Sequence, residues 1–125
     1  MKIHVTRSYK LSVAHFIPQD YVSPDQTALH GHEWKVAVTL EKSKNEASSV
    51  WDANYLDQIL KERLEQFQNS ILNEHLPNGT GETLAKSLLE HFKLTSLGPH
   101  LVAVQLVETR KNRFQGVFTN SLDKT

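Results

Sequence analysis

The stretch Leu29-His30-Gly31-His32-Glu33-Trp34-Lys35-Val36-Ala37-Val38-Thr39-Leu40-Glu41 holds the cleanest alternation in the chain. Its even positions are His30, His32, Trp34, Val36, Val38 and Leu40, while Glu33, Lys35, Thr39 and Glu41 occupy odd ones. A period of two over this length predicts a β-strand with one buried and one solvated face. Side chains two apart on a strand point the same way, so His30 and His32 project together from the face that carries the apolar residues. On the N-terminal side, the odd positions from Ile3 to His15 read Ile, Val, Arg, Tyr, Leu, Val, His, an interrupted version of the same pattern, and predict a long half-buried strand that His15 finishes. Residues 17 to 29 carry two prolines, two aspartates and several small polar residues, the composition of a loop joining the two strands.

On the C-terminal side, a polar turn at 42 to 49 precedes a helix that Asn54 can cap, with Leu56, Ile59, Leu60, Leu64 and Phe67 recurring at steps of three and four residues. Pro77-Asn78-Gly79 breaks the chain. Thr80 can then cap a second helix carrying Leu84, Ala85, Leu88, Leu89 and Phe92 on one stripe. Gly98-Pro99 ends the next connection, Leu101 to Thr109 reads as a third strand, and Phe114 to Phe118 as a fourth after the basic turn Arg110-Lys111-Asn112-Arg113. The order ββααββ predicts an α+β fold, a four-stranded antiparallel sheet with two helices on one face. Residues 1–119 form the single expected domain and 120–125 a loose tail. Such a sheet has two open edges, which a closed homo-oligomer would cover.

The chain has 125 residues, no cysteine, and fourteen basic residues balanced by fourteen acidic ones. No disulfide, thiolate metal site or cysteine nucleophile is therefore possible. The absence of a net positive field argues against non-specific binding to nucleic acid or to anionic membrane. The first residues alternate like a strand and do not form a targeting segment, and no span approaches the roughly 20 apolar residues of a membrane helix. A soluble, cytoplasmic protein is expected.

His30 and His32 supply two imidazoles on one face, and His15 ends the neighbouring strand. Three histidines with an open fourth position are the usual composition of a catalytic zinc site, whereas structural zinc sites usually close their shell with thiolates. A His-x-His pair can also be two ordinary strand-end histidines. The shared face and the third imidazole favour zinc as the expected cofactor, although three imidazoles accept other divalent ions too. His4, His75, His91 and His100 have no partners at ligand spacing and are read as surface residues.

Several short motifs, in order, resemble one family. Leu11-Ser12-Val13-Ala14-His15, Leu29-His30-Gly31-His32, Val50-Trp51-Asp52, Leu72-Asn73, Asn78-Gly79-Thr80-Gly81-Glu82 and Val107-Glu108-Thr109 are similar to segments of the 6-pyruvoyltetrahydropterin and 6-carboxytetrahydropterin synthases, the latter belonging to queuosine biosynthesis. The resemblance implies the tunnelling fold (T-fold), a multimeric barrel, often a hexamer, with active sites between subunits. It implies zinc on His15, His30 and His32, a pterin-like ligand, and Glu108 as the pterin anchor, since a carboxylate can accept two hydrogen bonds from the amino and ring N–H groups of such a ring. The Asp52 and Glu82 matches are equally explained by capping and helix-end electrostatics.

The chain departs from the family where protons are handled. The family's general base is a cysteine four residues before the first histidine of His-Gly-His, which here is Gln26, and its Asp-His pair falls on Gln68 and Asn69. Glutamine and asparagine form hydrogen bonds but do not shuttle protons near neutral pH. Asp25, beside the lost cysteine position, and the Glu74-His75 pair are the candidate substitutes; Asp25 is also read as a turn residue after Pro24. The leading expectation is a zinc- and pterin-binding family member with its usual proton-transfer residues replaced. The alternatives are an active synthase or lyase on dihydroneopterin triphosphate, with Asp25 or a zinc-activated hydroxide as base, and a non-catalytic pterin or purine binding module. An unrelated zinc hydrolase is a further class, against which the Glu108 match argues.

Overall fold

A computed structural model describes residues 2–18, 27–43 and 51–118. The two alternating stretches form the longest strands, β1 (Lys2–His15) and β2 (His30–Ser43), paired antiparallel over their whole lengths. Because every pair in this register sums to the same number, odd residues of β1 share a face with even residues of β2. Leu11 and Val13 therefore meet Trp34, Val36, Val38 and Leu40 in one core. Strand β4 (Leu101–Thr109) lies antiparallel on the other side of β2, and β5 (Asn112–Val117) antiparallel beyond it.

The helices α1 (Ala53–Glu65) and α2 (Gly81–Phe92) bury Leu56, Leu60 and Leu64 from the first and Leu84, Leu88 and Phe92 from the second. Four-residue spacing places each set on one helical stripe, the amphipathic pattern that lets a helix cover a sheet face. Thr80 caps α2 as expected: its hydroxyl accepts from the Thr83 N–H, while the Thr83 hydroxyl accepts from the Thr80 N–H. At α1 the expected cap is corrected by two residues. Asp52 is the cap, with Oδ1 accepting from the Asn54 N–H at 2.9 Å, so Asn54 lies inside the first turn.

The α+β class holds, but the strand count is corrected from four to five and the order from ββααββ to ββαβαββ. The two-residue strand β3 (Ser70–Ile71) pairs parallel with Val13 and Ala14, giving the order β3-β1-β2-β4-β5. The sheet is therefore mostly antiparallel. β5 starts at Asn112, two residues earlier than expected, and takes in the end of the supposed basic turn. β2 runs through Ser43, into the expected polar turn; positions 44 to 50 and the expected domain end and tail (119 to 125) lie outside the described residues.

Candidate metal centre

His15 and His30 are direct partners in the β1–β2 register, and His32 opposes Val13 one step away on the same face. Parity thus brings three imidazoles to one end of the sheet, on the side covered by helices. Their ring centroids form a nearly equilateral triangle of 4.6, 4.9 and 4.8 Å, with ring planes inclined at 64°, 80° and 83° to one another. One ligand nitrogen from each lies within 4.8 Å of the other two, and this is the cluster among the described residues that could hold a metal ion.

The hydrogen bonds on the far side of two rings fix which nitrogen is free. His15 Nδ1 lies 2.7 Å from the Gly79 carbonyl oxygen, and His30 Nδ1 lies 2.7 Å from that of Ala28. A carbonyl oxygen only accepts, so each Nδ1 carries the proton and each Nε2 presents its lone pair, the arrangement typical of metal-binding histidine. The Nε2 atoms of all three histidines are buried with no hydrogen-bond partner. The two of these fixed as acceptors, His15 Nε2 and His30 Nε2, cost free energy when buried and unsatisfied unless something binds them. Burial holds His15 and His32 below the usual imidazole range, opposed at His15 by the Gly79 bond and at His32 by the charge of Glu108. Both are thus neutral at pH 7, the form that ligates. An all-imidazole donor set suits zinc, whose bonds to histidine nitrogen are about 2.0–2.1 Å.

Glu108 borders this cluster. It ends the even face of β4, after Val104 and Leu106, at an irregularity in the β4–β5 register between Val107 and Thr109. Its Oε1 lies 3.3 Å from His32 Nε2, and its Oε2 accepts from Asn112 Nδ2 at 2.9 Å. The side chain is only 16% exposed. Trp34, fully buried, lies beneath the triad, stacked with His32 at 5.5 Å and edge-on to His15 at 5.5 Å.

The other sequence candidates are placed elsewhere. Gln68 Oε1 accepts from the Ser12 N–H at 2.6 Å, and the Asn69 N–H donates to the Ser12 carbonyl at 2.7 Å, so both positions hold the edge of β1. Asn69 has φ 58° there. Glu74 and His75 are exposed in the turn after β3, with His75 edge-on to Phe67, and neither joins the histidine cluster. Asp25 and Gln26 lie outside the described residues. His4 and His75 are exposed as expected, but His91 and His100 are half-buried, a correction to their reading as surface residues; the His100 ring packs edge-on against Trp51. Asn73, Gly79 and Asn112 were not read as functional from sequence. The signal was present in the Leu72-Asn73 and Asn78-Gly79 motifs, without an indication of what they touch.

The sequence profile of the family described as 6-pyruvoyl tetrahydropterin synthase matches residues 4–116. The chain belongs to this family. Comparison with curated proteins finds no match. Among solved structures, the 6-pyruvoyl tetrahydropterin synthase of Caenorhabditis elegans superposes with a TM-score of 0.77 at 20% identity, over 95% of this chain and 97% of that one. An uncharacterised protein of Wolinella succinogenes gives 0.67 at 17% identity, over 94% and 98%. A Plasmodium vivax 6-pyruvoyltetrahydropterin synthase, in a form with a catalytic glutamate replaced by alanine, gives 0.67 at 13% identity, over 93% and 97%. At these identities the likeness is one of fold, and the expected T-fold is met in the protomer. Among the described residues, no helix is long and apolar enough to cross a membrane.

Proposed function

We propose that the chain is a zinc- and pterin-binding member of the 6-pyruvoyl/6-carboxytetrahydropterin synthase family in which the usual proton-transfer residues are replaced. The observation that carries this reading is the convergence of one ligand nitrogen from each of His15, His30 and His32 within 4.8 Å of the others, beside the half-buried Glu108 carboxylate. His15, His30 and His32 are the zinc ligands. When bound, zinc supplies Lewis acidity toward the oxygens of a ligand side chain. Gly79 and Ala28 hold two of the rings with their lone pairs inward. Glu108 anchors the heterocycle: its Oε2 already takes an amide N–H donor from Asn112, the kind of donor an amino-pyrimidinone ring presents.

The replacement of the family's Asp-His pair is consistent with the fate of Gln68, whose amide oxygen accepts from the backbone of Ser12 and whose side chain carries no titrating proton. A second reading, an active synthase or lyase on dihydroneopterin triphosphate with Asp25 as base, draws support from the Plasmodium vivax relative, whose catalytic residue is itself a carboxylate. Assembly into a homo-oligomer, with the hexamer as the size the resemblance suggests, is supported by the edge of β1, whose strand pairing with β3 spans, among the described residues, only Val13 and Ala14.

The test is zinc content and turnover measured together. Wild type should take up one zinc per chain and His30→Ala should lose most of it; equal zinc in the two proteins would sink the site. With dihydroneopterin triphosphate, retention without product supports the leading reading, turnover that Asp25→Asn abolishes supports the second, and no retention at all removes the pterin from both.

A further inference from the structure

The chain after α1 runs along β1 as a short parallel strip. Asn69 and Gln68 bond to Ser12, Ser70 pairs with Val13, and Ile71 with Ala14. The backbone then turns away into a single 3-10 turn, Leu72–Glu74, anchored by the fully buried Leu72. The strip nevertheless continues through a side chain. Asn73 Oδ1 accepts from the Phe16 N–H at 3.0 Å, and Asn73 Nδ2 donates to the Phe16 carbonyl at 2.9 Å. A carboxamide has the same donor and acceptor as a peptide unit, so it can satisfy an edge backbone residue as another strand would.

The same amide touches the other support of His15. Nδ2 points at the Asn78 carbonyl, 3.5 Å away, and a Cβ placed on Gly79 would lie 2.6 Å from Asn73 Cγ and Oδ1. Gly79, at φ 57°, is the residue whose carbonyl receives the His15 Nδ1–H. One side chain therefore grips the residue next to His15 along β1 and contacts the turn that fixes the His15 ring.

We propose that Asn73 is a positioning residue of the histidine centre, holding β1 and the Pro77–Gly79 turn at the separation that keeps His15 in its Nδ1-protonated form with Nε2 facing His30 and His32. The metal part of this inference rests on the reading of His15 as a ligand. Supports of this kind tune a site without touching the ion, and their loss weakens metal binding by about 10- to 100-fold.

The experiment compares wild type, Asn73→Ala and Asn73→Asp. The aspartate keeps the shape and an acceptor for the Phe16 N–H but loses the donor to the Phe16 carbonyl, and it serves if the alanine variant fails to fold. Two readouts are taken on folded protein: the His15 tautomer without metal, from 15N chemical shifts of the ring, and the affinity for Zn(II) alone, by chelator competition. The expected result is a wild-type His15 protonated at Nδ1, loss of that single tautomer in the variants, and weaker zinc binding by about 10-fold or more. Unchanged tautomer and unchanged affinity would overturn the inference while leaving the metal centre intact. If wild type binds no zinc, the metal reading fails by itself and the tautomer decides whether Asn73 sets the ring.

Discussion

Gly79→Ala should be among the most damaging single-methyl additions in this protein, and Gly31→Ala, inside the His-Gly-His segment, one of the mildest. Gly79 has φ 57°, and holding an L-residue in the left-handed region costs about 1–2 kcal/mol. Its new Cβ would also fall 2.6 Å from Cγ and Oδ1 of Asn73 and 2.9 Å from Nδ2, far inside contact distance. Asn73 must then swing away and give up its two bonds to Phe16, at about 1 kcal/mol net each. The sum is about 3–4 kcal/mol, which for a domain of this size lowers Tm by about 10–15 °C. Gly31 is exposed, has no positive φ, and a Cβ there would meet only the Val13 carbonyl oxygen at an ordinary 3.7 Å. Removing a glycine from a strand interior relieves backbone entropy, so Gly31→Ala should stay within about 0.5–1 kcal/mol of wild type on the stable side. Urea and thermal unfolding of the metal-free proteins, followed by far-UV circular dichroism, measure both. A Gly79→Ala variant melting within two or three degrees of Gly31→Ala would refute the placement of Asn73 against the turn.

Two further outcomes follow from the rest of the fold. Burial and the bond to Asp57 push the Tyr9 hydroxyl up to about 12, and because the raised group is neutral when protonated, its contribution to stability is whole below about pH 10 and is lost as pH rises toward 12. The stability gap between wild type and Tyr9→Phe, from urea midpoints, should therefore shrink across that window; a gap constant from pH 9 to 12 would contradict the Tyr9–Asp57 contact. Leu60, fully buried at the centre of the α1 stripe, should cost about 2–5 kcal/mol when cut to alanine, and a change under 1 kcal/mol would mean that α1 does not cover the sheet as described.

Strand β2 was legible because its alternation and its burial coincide: every even residue from Trp34 to Lys42 is buried, apolar up to Leu40. Helix α2 was legible because Thr80, a good cap, stands just before an apolar stripe at helical spacing. The start of α1 was misplaced because Asp52 and Asn54 are both good caps, and only the folded backbone shows Asp52 extended, with ψ 128°, and accepting the bond. Strand β3 was missed since two residues carry no period; its pairing depends on where the end of α1 delivers the chain against β1.

The sequence by itself determined that His30 and His32 share a face, that His15 stands at a matching strand end, and which family the motifs resemble, because strand parity and local spacing are properties of a few neighbouring residues. Only the tertiary structure decided that a ligand nitrogen from each of the three histidines lies within 4.8 Å of the other two, that Glu108 lies against His32, and that Gln68 and Asn69 fasten β1 at Ser12. Those facts depend on the register between strands and on carbonyls such as that of Gly79, sixty-four residues from His15, whose position is fixed by the packing of the whole domain.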